Sequence, residues 1–372
     1  MNEQAMAQFS EYCARHQLQA LLLASPFTVT WLTGYAPPIQ TGPSPFEGGP
    51  ALVWWREGEV TLILADSETG AAEATGAAVL AYESYTIERP LAGLANQAAV
   101  LRTLLQSTNL AGTVGIELNW LPAALLAVQQ SSLPNAALRP VDGEFEAVRA
   151  VKTPAEVDKL RASLSLCDLA QRAVRDHAQP GMSELELWGL VKARVESAAG
   201  SRLPVLADLV AGVRSADIGG PPSDYRLQPG DAVLLDFVPR RDGYWGDNAG
   251  TYFLGEPSAE LQKIYTIVAA TLALGLDTLK PGVRAGDLDA KVRNAIRTAG
   301  FEPYPHHTGH GIGTTYHEEP RIVPYNEMIL APGMVVALEP GIYLPGVGGV
   351  RLEHIALVTA DGCQVLTTHL PH

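Results

Sequence analysis

Apolar and polar positions along the first third of the chain follow two periods in turn. Residues 2–16 carry apolar side chains at helical spacing, which predicts an amphipathic helix. Short apolar runs follow at 20–23, 51–55, 60–65 and 113–118, and helical stretches at 91–105 and 122–130 lie between them. Strands alternating with helices predict an α/β layer domain whose sheet is mostly buried. Residues 36–50, APPIQTGPSPFEGGP, break this pattern with Pro and Gly and predict a long irregular surface loop. A loop of that length inside a compact domain is more often functional than idle.

A second pattern begins near residue 148. Thr153 is placed to cap a helix, Pro154 fits its first turn, and Glu156 completes a capping box. This helix is expected to run to about residue 178, with another opening near Ser183 after Pro180-Gly181. A similar sequence recurs about a hundred residues later. Pro281-Gly282 opens a helical stretch ending at Ala299-Gly300, as Pro180-Gly181 opens one ending at Ala199-Gly200. A fixed offset of this kind signals duplication. The expected organisation is a domain over 1–147 and a duplicated, pseudo-two-fold α+β domain over 148–372, with a site on the axis between its halves.

Composition narrows the function classes. The 372 residues are 47% hydrophobic, enough for a large core, and carry a formal charge of −14. Excess acid disfavours a phosphate backbone as partner, so no nucleic acid is expected. Cys13, Cys167 and Cys363 form neither a C-x-x-C pair nor an even set, which points away from a disulfide framework or a thiolate metal site. The polar start MNEQAMAQFS lacks a signal-peptide core, and no apolar run approaches the ~20 residues that span a bilayer. A cytoplasmic protein without a membrane segment is expected.

The chemistry lies in carboxylates delivered by apolar strands. In AVLLDFV, Asp236 interrupts a hydrophobic run, and a buried ionised carboxylate is costly unless it is paired or holds a metal. Taken alone, Asp236 is more simply a strand end facing water. Glu353 shares a strand face with Arg351, Ile355 and Leu357, where an internal ion pair with Arg351 would account for it. Glu339 follows the apolar run 334–338, and alone would be an ordinary turn acid. Asp242-Gly243 is a hairpin signal that can fold Asp247 back beside Asp236. Four of the nine histidines, His306, His307, His310 and His317, fall within twelve positions, with glycines beside His310. Four carboxylates and one imidazole favour Mn²⁺ or a similar ion over thiolate-type zinc. Their charge matches two divalent ions.

These residues resemble the pita-bread metallopeptidases: methionine aminopeptidase, aminopeptidase P and prolidase. The family orders its metal ligands Asp, Asp, His, Glu, Glu. Asp236, Asp247, His310 in TGHGIG, Glu339 in LEPGIY and Glu353 in VRLEH match them in order and local context. Residues 28–35, TVTWLTGY, are similar to an early strand and LTG turn in the N-terminal domain of aminopeptidase P, prolidase and creatinase. Creatinase lacks the metal ligands, so the intact set argues against its reaction.

The resemblance implies a creatinase-like α/β N-terminal domain followed by a pita-bread catalytic domain. It also implies two divalent metal ions per subunit, with Mn²⁺ preferred over Co²⁺ or Zn²⁺, and a homodimer. The implied activity is hydrolysis of a Xaa-Pro bond in a dipeptide or short peptide, with cleavage of longer peptides by an aminopeptidase as the alternative. Glu339 takes the part of general base. His317 steadies the oxyanion, and His306 lines a substrate pocket together with Ile312. Tyr343 matches the tyrosine after EPG, and Arg351 the arginine paired with the last glutamate. Arg321 lies where some prolidases hold a substrate carboxylate. The loop 36–50 would then shape the mouth of the site.

Two departures stand out. Gly219 occupies the place of a family histidine, and Ala249-Gly250-Thr251 replaces a Thr-Arg-Thr. A binding protein that kept the fold and lost the chemistry is the competing reading.

Overall fold

Ala20–Leu23 is buried at all four positions because it is an inner strand of a six-stranded sheet. Its neighbours are Leu52–Arg56, antiparallel, and Thr113–Ile116, parallel. The computed structural model describes residues 3–39 and 46–370. One face of this sheet packs against Phe9, Trp31, Leu32 and Phe145, and the other against Leu101, Leu105 and Leu125. Covering on both faces explains why its inner strands read as unbroken apolar runs. The helices Glu3–Arg15, Gly93–Thr108 and Ala123–Ser132 lie close to their expected positions. This unit, Met1–Arg149, is one of two compact parts of the chain. Part of the predicted 36–50 loop lies outside the described residues.

One expectation fails here. Residues 28–35 do not form a strand: Pro26–Thr33 is a helix ended by Gly34 at φ 79. Pro26 sets the first turn, the Thr30 and Thr33 hydroxyls donate to the carbonyls four residues back, and Gly34 takes the left-handed cap that other residues resist. Local start and stop signals outweigh the β-branched composition.

The second unit, Ala150–His372, carries the predicted double capping signal. Thr153 and Glu156 cap Pro154–His177, and Ser183 and Glu186 cap Glu184–Ala199, each by reciprocal side-chain to backbone bonds. The second helix pair is Ala259–Thr278 and Ala285–Thr298. Each pair is followed by an antiparallel sheet. In the first, Ala232–Arg241 lies between Val205–Ala211 and Ala249–Phe253, with Asp236 opposite Asp208 on one side and Ala249 on the other. In the second, Val335–Leu338 lies between Gly309–Gly311 and His354–Val358. The Glu353 N–H donates to the Ala249 carbonyl at 3.0 Å, so one bond ties the two sheets together beside the site.

The expectation that no run approaches membrane-spanning length needs correction. Ala259–Thr278 has that length and composition. Its inward stripe of Leu261, Ile264, Val268 and Leu272 belongs to the core of the second unit. The rest of the helix is rich in Ala, Thr and Leu, which raises its hydropathy without a bilayer.

Candidate metal centre

Strand register brings Asp236 into the cleft, and a two-residue turn returns Asp247 to it. Asp242 and Gly243 have φ of 50 and 84, the pair of positive values that a tight hairpin turn requires. His310 lies in the short strand Gly309–Gly311, which is flanked so closely on both sides that no Cβ fits at either glycine. Glu339 follows Val335–Leu338, its N–H donating to the Thr308 carbonyl at 3.0 Å. Asp236, Asp247, His310, Glu339 and Glu353 all line one cleft of about 340 Å³. Leu206, Ala207, Val238 and Tyr316 form its apolar wall.

The polar atoms fit a cation. Asp236 Oδ1, Asp247 Oδ1 and Glu353 Oε1 are buried and have no hydrogen-bond partner, which is costly unless an ion completes them. His310 Nδ1 donates to the Gly311 carbonyl at 2.9 Å. Its Nε2 lone pair therefore faces Asp247 Oδ2 at 3.6 Å and Glu339 Oε1 at 3.5 Å. Acceptor atoms of three residues converge there, the arrangement that a divalent ion resolves. Asp247, His310 and Glu353 offer atoms all within 4.8 Å of one another. Oxygen donors with one imidazole suit a hard-to-borderline divalent ion.

Electrostatics follow from burial. Desolvation holds Asp247 well above the carboxylate range, reinforced by Glu353 and Asp236. Glu353 is raised by burial and then by Glu339 and Asp236. Asp236 is raised by burial against the opposing pull of Arg351. Glu339 differs. Burial pushes it up, but the His307 hydrogen bond and the surrounding histidines carry it below the usual range. Burial lowers His310 to about 3, aided by His317, so the ring is neutral and free to ligate. Desolvation also lowers His306 and His317 to about 4.

The remaining predicted residues separate into groups. His306 stacks on Tyr304 at 4.6 Å and bonds the Tyr343 hydroxyl at 2.9 Å. Arg351 pairs with Asp236 at 2.7 Å and lies 3.5 Å from Asp208; the expected ion pair with Glu353 is absent among the described residues. Its Nη1 donates to the Ile218 carbonyl and the Tyr343 hydroxyl. His317 sits at the cleft rim, exposed, its ring 4.2 Å from that of His310. The next residue, Glu318, is buried and bonded to Lys152, which fixes the backbone behind His317. Arg321 is exposed on the same strand, close enough for its charge to help depress His317. Ile312 is not a pocket residue. It is fully buried among Val157, Leu160 and Leu164.

Two residues escaped the sequence reading. His307, counted among the histidines but given no part, bonds Glu339 Oε1 through Nε2 at 2.8 Å. Asp208 lines the cleft. It interrupts the apolar run 205–211 much as Asp236 interrupts 232–238, so the same signal marks both.

Comparison with known proteins agrees with this geometry. Residues 158–360, more than half the chain, match metallopeptidase family M24, and residues 6–151 match the creatinase/prolidase N-terminal domain. An uncharacterized peptidase of Bacillus subtilis is 34% identical over 259 residues, 69% of this chain and 73% of its own length. A Xaa-Pro dipeptidase of Lactobacillus helveticus is 33% identical over 258 residues, 68% of this chain and 70% of its own. The solved structure of a Xaa-Pro dipeptidase from Bacillus anthracis superposes with a TM-score of 0.84 at 25% identity, covering 100% of this chain and 98% of that one. The chain belongs to metallopeptidase family M24, with a creatinase-like N-terminal domain preceding its pita-bread catalytic domain.

Proposed function

We propose that this metallopeptidase hydrolyses the Xaa-Pro bond of dipeptides, using two divalent ions held by Asp236, Asp247, His310, Glu339 and Glu353. The observation that carries the reading is the set of buried carboxylate oxygens without partners, facing an unprotonated His310 nitrogen. When bound, such ions polarise a carbonyl and supply a nucleophile near neutral pH. Glu339, held ionised, accepts the proton of the attacking water and returns it to the departing proline nitrogen. His317 donates to the developing oxyanion from the rim. His306, Tyr343 and Arg351 form a bonded set that orients the substrate beside Asp236. The wall of Leu206, Val238 and Tyr316 suits a proline ring.

Arg321 favours the dipeptide, because a guanidinium can hold a terminal carboxylate by paired hydrogen bonds. Mn²⁺ is the proposed ion. The three cysteines are free, which suits the cytoplasm, and the likeness to prolidases motivates a homodimer. Turnover of Xaa-Pro against Xaa-Pro-Yaa by Mn²⁺-loaded and chelator-treated protein tests the reading. Metal-dependent cleavage of the dipeptide supports it. Preference for the longer peptide makes the enzyme a Xaa-Pro aminopeptidase, and no turnover at full metal occupancy leaves a binding protein.

A further inference from the structure

Gly219 lacks the histidine side chain that the family resemblance leads one to expect, and the structure shows what takes its space. A Cβ built on Gly219 would overlap Asp208 Oδ2. Ile218, just before it, holds φ 75, a costly conformation for a β-branched residue, and its carbonyl accepts from Arg351 at 2.6 Å. The backbone is thus pinned so that residue 219 stays small and the Asp208 carboxylate fills the vacated volume.

Asp208 also stands directly opposite Asp236 in the strand register, so both side chains emerge on one face. It lines the cleft with the metal-type residues, and 39% of its side chain is open to solvent. Among the described residues its charged partner is Arg351 at 3.5 Å, and Arg351 makes its shorter contacts to Asp236, Ile218 and Tyr343. Four ligand carboxylates balance two divalent ions. Arg351 would leave a net positive charge, which Asp208 cancels while keeping oxygen lone pairs open to the cleft.

We propose that Asp208 is a specificity-determining residue that receives an organic cation, an ammonium or guanidinium group of the peptide, where the family places a histidine. The proposal rests on the peptidase reading above. Two sources supply that cation: the α-ammonium of the peptide, or a Lys or Arg side chain.

The test uses the full-length, Mn²⁺-loaded protein and its Asp208→Asn variant, with Ala-Pro, Lys-Pro and propionyl-Pro, which lacks the amine. A charge-assisted hydrogen bond lost from a cleft raises KM roughly ten- to hundredfold, with kcat nearly unchanged. If the α-ammonium is the source, Asp208→Asn weakens Ala-Pro and Lys-Pro equally and spares propionyl-Pro. If a side chain is the source, only Lys-Pro is weakened. In either case the wild-type KM for the affected peptide rises with salt, and the variant loses that dependence. Gly219→Ala, which displaces the carboxylate without removing its charge, should reproduce the selectivity change. Equal binding of all three peptides by wild type and Asp208→Asn, or tighter binding by the variant, overturns the proposal. Calorimetric titration of the same peptides decides it even if the wild type cleaves none, an outcome that would sink the peptidase reading separately.

Discussion

A carboxylate buried in the first unit and those around the cleft of the second are treated in opposite ways. In the first unit Glu117, 3% exposed, accepts from the Ala24 and Ser25 N–H groups at 2.8 and 2.7 Å and from the Thr28 hydroxyl at 2.6 Å. Arg149 donates to that same hydroxyl. In the second unit Asp247 and Glu353 are buried as deeply and Asp236 is half-buried, yet each keeps a buried oxygen with no partner. Burial alone therefore does not distinguish a structural acid from a functional one; the completeness of its hydrogen bonds does. A carboxylate whose lone pairs are satisfied by its own chain knits a fold together. One left incomplete in the interior is destabilising there until something outside the chain completes it.

The sharpest way to break this contrast is to neutralise one acid of each kind. Glu353→Gln should cost at least roughly 10³-fold in turnover, since several kcal/mol of metal-derived stabilisation goes with the ligand. The metal-free variant should melt no lower than metal-free wild type, because a buried acid whose ionised form is unfavourable has gone. A clear fall in its Tm would make Glu353 structural after all. Glu117→Ala should do the reverse, costing about 3 kcal/mol of stability as three donors lose their acceptor, while kcat of the folded fraction stays unchanged.

The contrast also has a pH signature. Asp247 and Glu353 have folded pKa values raised by burial. Their contribution to stability is present below the ordinary carboxylate value and is lost as pH rises through the raised one. The lowered histidines act oppositely. His310 at about 3 and His317 at about 4 support the fold above about 6.5 and cease to do so as pH falls toward those values. Metal-free protein should thus lose stability at both ends. Added Mn²⁺ removes the upper loss by completing the carboxylates, so the metal-induced rise in Tm should grow with pH across the neutral range, with protons released on binding. A constant rise would mean that these acids are already ionised without metal.

Much of this was legible beforehand because it is local. Capping boxes at Thr153 and Ser183, the Asp242-Gly243 turn and the order of carboxylates in apolar strands are all short-range signals. What stayed hidden depends on contacts across the fold. The helix over Pro26–Thr33 was masked by β-branched residues that usually favour strands. Arg351 reads as the neighbour of Glu353, yet it ends the strand Gly348–Arg351, paired with Gly341–Leu344, and reaches Asp236 on the first sheet. Asp208 carried the same mark as Asp236, but only the register opposite Asp236 and the bare Gly219 give it a place in the cleft.

The smallest effect expected is at His307, which links the two kinds of acid. Glu339 lines the cleft, and as Arg351 does for Asp236, a protein partner holds it: His307 Nε2 donates to its Oε1 at 2.8 Å. That oxygen also lies 3.5 Å from His310 Nε2, so it borders the space proposed for an ion. The His307 ring is half-exposed and packs edgewise on His310 and His317, at 5.1 and 4.9 Å. Such a histidine is a positioning residue: it fixes which way the Glu339 carboxylate turns and keeps it ionised. Removing one hydrogen bond of this kind costs about 1.5 kcal/mol. His307→Ala should then lower kcat by roughly tenfold with KM unchanged at saturating metal. His307→Gln, whose amide can still donate to Oε1, should recover part of the loss. If saturating Mn²⁺ restores the full rate to His307→Ala, the imidazole serves ion affinity alone, and Glu339 belongs with the acids that only a metal completes.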